Sequence, residues 1–119
     1  MYYLCPMKAD KSSSQMRKGV LEFCILTLLS VEDAYASDII SKLKESKLIV
    51  VEGTLYPLLM RLKNDGLLSY RWEESKSGPP RKYYLITDEG RVYLSELSEI
   101  WDELVEMVQN IRNSNQSKQ

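Results

Sequence analysis

Hydrophobic period changes at Gly66, and that change narrows the folds open to this chain more than any other feature. Before Gly66 apolar residues recur at helical spacing; after it they alternate in two short runs, and from Thr87 helical spacing returns. The first stripe, Val20, Leu21, Cys24, Ile25, Leu28 and Leu29, predicts a helix from about Ser13 to Ser30. Ala36, Ile39, Ile40 and Leu43 predict a second from about Tyr35 to Ser46. Leu55, Leu58, Leu59 and Leu62 form a narrow third stripe. Its expected N-cap is Thr54, its stop is Asn64-Asp65-Gly66, and Pro57 then falls in the first turn, where no intrahelical bond is forfeited.

The alternating runs set Leu68, Tyr70 and Trp72 against Ser69, Arg71 and Glu73, then Tyr83 and Leu85 against Lys82, Tyr84 and Ile86. A Gly78-Pro79-Pro80 tip would join them into a hairpin. Three helices, two of them short and consecutive, followed by a hairpin make a winged helix-turn-helix. The expected class is α+β, mostly α, with one long helix appended at the C-terminus.

That helix starts at Thr87-Asp88-Glu89, a Thr N-cap followed by acids that suit the positive end of the dipole. Leu94, Leu97, Trp101, Leu104, Val108 and Ile111 then trace an a/d seam, with Tyr93, Ile100 and Met107 beside it. The stripe is wider than one intramolecular contact needs. One part is expected on the chain's own domain and the seam against a second copy, which makes a homodimer. The resulting division is a flexible N-terminal end over 1–12, a winged domain over 13–87, a dimerisation helix over 88–112 and a disordered tail over 113–119.

Composition removes most chemistry. A chain of 119 residues holds one domain, and with no histidine it lacks imidazole acid/base work, Ser-His and Cys-His pairs and imidazole metal ligands. Cys5 and Cys24 make neither a Cys-x-x-Cys pair nor a structural zinc site; Cys24 lies in an apolar stripe as a small hydrophobe. No metal, cofactor or enzymatic activity is expected. The longest apolar candidate, Val20 to Val31, is broken by Glu22, Thr27 and Ser30, and the first residues lack a basic leader, so a cytoplasmic chain without a membrane span or signal is expected. The net charge of -1 hides an asymmetry: residues 91–119 hold five acidic and three basic side chains, while residues 1–90 are nearly balanced.

On a helical wheel, turning the four leucines of the third helix inward leaves Gly53, Pro57, Met60 and Asn64 outward. Thr54 and Arg61 flank them on one side, Tyr56 and Lys63 on the other. Such a helix fits a major groove, with Arg61 or Asn64 at base edges and Thr54, Tyr56 and Lys63 at phosphates; an ordinary solvated face has the same look. Lys76, Arg81 and Lys82 surround the hairpin tip, where basic side chains suit phosphates or a minor groove. Tyr70, Trp72, Tyr83 and Tyr84 are read as hairpin packing rather than a single-strand platform.

Two stretches, from Glu52-Gly53-Thr54-Leu55-Tyr56-Pro57 through Leu68 and from Gly78-Pro79-Pro80-Arg81-Lys82-Tyr83-Tyr84 through Gly90, together resemble the PadR family of bacterial transcriptional regulators. Arg17-Lys18-Gly19 to Leu29 resembles that family's first helix, and the likeness spans roughly residues 16–112. The resemblance implies a dimeric winged-helix repressor on a pseudo-palindromic operator, released in many members by a small molecule. It assigns DNA contact to Thr54, Tyr56 and Pro57 in the third helix and to Arg81 and Lys82 in the wing. Ala36-Ser37 departs from the His-Gly or Tyr-Gly often found there, and a single C-terminal helix places the chain with short-form members. Some of these stack flat aromatic compounds on a Trp of that helix, which makes Trp101 the candidate effector residue, although a Trp filling the interface is the plainer role. A winged-helix adaptor that binds protein and no specific DNA is the alternative function.

Overall fold

The structure, a computed structural model, describes residues 4–117. Its elements are α1 (Leu4–Val31), β1 (Ala34–Tyr35), α2 (Ala36–Glu45), α3 (Glu52–Asn64), β2 (Leu68–Ser75), β3 (Gly78–Ile86) and α4 (Asp88–Ser117). The three strands form one antiparallel sheet in the order β1-β3-β2. This is the winged helix-turn-helix that the changes of period predict, with a long helix at each end.

Buried Leu21, Ile25, Leu26 and Leu29 give α1 one inward face, and Leu55, Leu59 and Leu62 give α3 another. Ile39, Leu43, Leu68, Tyr84 and Ile86 complete the core between them. Helix α1 starts at Leu4 rather than Ser13 and so takes in most of the stretch expected to be flexible. The polar Lys8 to Gln15 segment lacks an apolar stripe, which hid it from periodicity, but it contains no breaker and a helix already nucleated propagates through it. Likewise α4 runs to Ser117, past the expected end at Arg112. The remaining terminal residues of the expected flexible end and tail lie outside the described residues.

Helices α2 and α3 end in the same way. Lys47 (φ 69°) and Gly66 (φ 82°) adopt the left-handed conformation, and Leu48 and Leu67 donate their N–H groups back to Leu43 and Leu62 at 2.9 Å. Each reversal satisfies carbonyls that a helix end otherwise leaves unpaired. The start of α3 differs from expectation. Val51, not Thr54, is the N-cap, with Thr54 and Leu55 donating to the Val51 carbonyl at 3.0 Å. Pro57 therefore sits in the second turn and does forfeit one helical bond, to the Gly53 carbonyl; both residues are exposed.

The hairpin register corrects two further expectations. Leu68 pairs with Ile86 and Tyr70 with Tyr84, so Tyr84 and Ile86 point into the core and Tyr83 and Leu85 lie on the opposite face. Alternation alone left both faces of β3 apolar. The turn is Lys76-Ser77, and Gly78, Pro79 and Pro80 belong to β3, beside a register irregularity between Glu73 and Ser75. Prolines fit that irregular outer end because they donate no ladder hydrogen bond.

Thr87 fastens α4 to the wing: its hydroxyl donates to the Gly66 carbonyl at 2.6 Å and accepts the Gly90 N–H at 2.9 Å. Gly90 itself lies so close to Leu67 that an added Cβ would meet the Leu67 carbonyl oxygen. Tyr93, Leu94 and Leu97 then pack on the core, whereas Ile100 onward leaves it.

Candidate nucleic-acid interface

Helix α3 is held by its leucines, which leaves its other side to solvent. Gly53, Thr54, Tyr56, Pro57, Met60, Lys63 and Asn64 are all exposed, as the wheel predicts. Tyr56 closes one side of a groove of about 470 Å³ that the start of α2 and the wing complete, with Arg81, Lys82, Trp72 and Glu52 also on its walls. The two stretches of chain are about 25 residues apart in sequence, yet the fold brings Tyr56 and the wing cations to one groove.

The wing cations are ordered by contacts that no local pattern reveals. Arg81 donates to the Ser37 hydroxyl at 2.6 Å and stacks 4.0 Å from the centre of the Tyr35 ring, which ties the wing to the start of α2. Tyr35 in turn meets Tyr83 edge-on at 4.8 Å, across the β1–β3 pairing. Lys82 lies 4.5 Å from the Tyr70 ring centre and 5.6 Å from that of Trp72, and Lys63 of α3 lies 5.8 Å from the Tyr70 ring centre. Both lysines thus lie at the Tyr70 ring, and among the described residues neither has an ion-pair partner. Lys76 stands exposed in the turn. Burial, followed by the nearby Tyr56 and Tyr70, pushes the Tyr84 phenol above its ordinary value, so it stays a neutral part of this wall.

Arg61 is placed differently from its neighbours. Its guanidinium lies 3.5 Å from the Glu22 carboxylate of α1 and 3.6 Å from Asp65 one turn on. Arg71 is similarly occupied between Glu73 (2.7 Å) and Asp33 (3.5 Å). Sequence reasoning missed Tyr35, Ser37 and Glu22 because each acts through a partner distant in the chain.

Helix α4 carries an uncovered apolar face. Trp101, Leu104, Val108 and Ile111 are 42%, 47%, 51% and 64% exposed, while Leu94 and Leu97, expected on the same seam, are partly covered by the chain's own core. Phe23 of α1 meets Trp101 at 6.2 Å, and a groove of about 250 Å³ runs between Met16, Phe23, Ile100, Trp101 and Leu104.

Residues 25–96, which hold the helix-turn-helix, the wing and the start of α4, match the model of the transcriptional regulator PadR-like family. The chain belongs to this family. Similar solved structures of PadR-like proteins come from Bacteroides fragilis (65% identity, 85% of this chain and 98% of that one, TM-score 0.73) and Bacillus cereus (41%, 82% and 95%, TM-score 0.72). A PadR family transcriptional regulator from Eggerthella lenta is 36% identical over 88% of this chain and 96% of its own, with TM-score 0.78. A curated relative from Lysinibacillus sphaericus, described as an uncharacterized protein, is 34% identical over 98 residues, 80% of this chain and 90% of its own. The PadR-like chain is a transcriptional regulator, and among the described residues no helix is long and apolar enough to cross a membrane.

Proposed function

We propose that this PadR-like chain acts in the cytoplasm as a homodimeric repressor that binds a pseudo-palindromic DNA operator. The observation that carries the reading is the shared groove of Tyr56, Arg81 and Lys82, which joins the exposed face of α3 to the wing. In this reading α3 enters the major groove with Thr54, Tyr56, Pro57, Met60, Lys63 and Asn64 toward the DNA. Lys76, Arg81 and Lys82 hold the flanking backbone. Arg61, with Glu22 and Asp65 beside it, sits at the edge of this surface and steadies α3 more than it reads bases.

The α4 residues from Ile100 to Ile111 supply the dimer contact in this reading, because a run of exposed apolar side chains on one helix gains most by meeting its own copy. A two-fold dimer sets two α3 helices about one DNA turn apart, or a multiple of it. The groove at Phe23 and Trp101 is the place for a flat aromatic effector, whose binding would change the angle between the two winged domains only through unequal affinity for two arrangements.

The test is selection of duplexes from a random pool by the purified protein, followed by anisotropy titrations of the enriched sequence across a salt series. The expected result is one enriched palindromic site, affinity that falls as salt rises, and loss of binding in Tyr56→Ala/Arg81→Ala with the dimer intact. A folded dimer that enriches no sequence would support the adaptor function instead.

A further inference from the structure

We propose that Arg17 and Lys18 of α1 form a second DNA-backbone contact in each winged domain, gripping phosphates on the flank of α3 that faces away from the wing. The inference rests on the DNA-binding reading above and adds residues that precede the family-matched segment 25–96.

The first turns of α3 have two flanks. On one, Tyr56 faces the wing, and Glu52 brings a negative charge into that groove. On the other, Thr54 faces α1 across a groove of about 170 Å³, whose α1 wall is Ser14, Arg17 and Lys18 and whose floor is the apolar chain before α3. Among the described residues no carboxylate lines this second groove. Arg17 and Lys18 are exposed, and among the described residues neither has an ion-pair partner, in contrast to Arg61, Arg71 and Lys42.

A cation pair on a helix, lining one groove with a threonine of the proposed DNA-facing helix, suits the phosphates of a sugar-phosphate strand. Lys11 stands seven residues before Lys18 and therefore on the same side of α1. It extends the basic strip by about 10 Å along the helix axis. The wing and this strip would hold the two strands that border the same major groove, and the net charge of -1 is compatible with DNA binding because the five acids of residues 91–119 all belong to α4.

The experiment compares the full-length wild type, Arg17→Gln/Lys18→Gln and Tyr56→Ala on the selected duplex and on a scrambled duplex across a salt series. The double variant is expected to weaken both duplexes by a similar factor, about tenfold near physiological salt, and to flatten the log-log salt slope by about 1 to 2. Circular dichroism and oligomer mass should stay unchanged, because both side chains are exposed and glutamine suits a helix. Wild-type affinity and slope in the double variant, with binding lost in Tyr56→Ala, would overturn the α1 contact and leave the DNA-binding reading standing. No binding of either duplex by the wild type would overturn both.

Discussion

The guanidinium of Arg61 on α3 lies 3.5 Å from the carboxylate of Glu22 on α1, whose Oε1 is buried and makes no hydrogen bond. Burial, and after it the Glu22 charge, raises the Tyr93 phenol of α4. One carboxylate thus lies between α1, α3 and the base of α4. Arg61→Ala leaves this carboxylate without its cation and should cost about 1 kcal/mol of stability, with Glu22→Gln/Arg61→Ala recovering part of the loss. Urea denaturation of the four proteins in the cycle reads this coupling. DNA affinity should fall further in Tyr56→Ala than in Arg61→Ala.

Gly90 is required by space. A Cβ there meets the Leu67 carbonyl oxygen and comes within 2.7 Å of Ile86 Cγ1, and the carbonyl belongs to a backbone already pinned by Thr87. Gly90→Ala should therefore destabilise by about 2 kcal/mol although alanine is the better helix former. A higher urea midpoint in the variant would contradict the packing.

Lys47 carries the opposite cost. With φ 69° it is the one non-glycine residue of positive φ among those described, at a position glycine fills after α3. Lys47→Gly should gain about 0.5 kcal/mol, as relief of the left-handed strain outweighs the added chain entropy of the unfolded state. The gain appears as a raised denaturation midpoint with an unchanged slope.

Alkaline stability should respond to Tyr84. Burial is the main cause that raises its phenol above the ordinary value of 10.0. The folded state therefore holds this proton more tightly than the unfolded state. Its contribution is complete below pH 10 and is lost as pH climbs through the folded value. Denaturation midpoints measured from about pH 9 to about pH 11 should fall less steeply in Tyr84→Phe than in the wild type.

The uncovered face of α4 makes a prediction about mass. Leu104 and Val108 are about half exposed in the single chain, so lysines there cost the winged domain little. Leu104→Lys/Val108→Lys should halve the mass by light scattering while circular dichroism stays helical. An unchanged mass would move the dimer contact elsewhere.

The order of elements was legible because burial on one side of a helix or strand leaves a period in the sequence. The leucines at 55, 59 and 62 show this plainly: all three are fully buried, and the outward residues of α3 follow from them. The N-terminal half of α1 was hidden by its lack of an apolar face. In β3, Lys82-Tyr83-Tyr84-Leu85-Ile86 has apolar residues on both faces, so alternation could not choose between them. The register with Leu68 and Tyr70 makes that choice.

The sequence alone therefore determined the winged-helix plan, the outward face of α3 and the apolar stripe of α4, all of them consequences of local periodicity. Tertiary structure alone decided that Arg61 belongs to Glu22, that Arg81 leans on Tyr35 and Ser37, and that Thr54 faces Arg17 and Lys18 across a groove. Those relationships join residues 36 or more positions apart, Thr54 and Lys18 being the nearest pair, and no periodic pattern encodes them. They arise when separate elements pack on a common core and bring charges and rings within reach of one another.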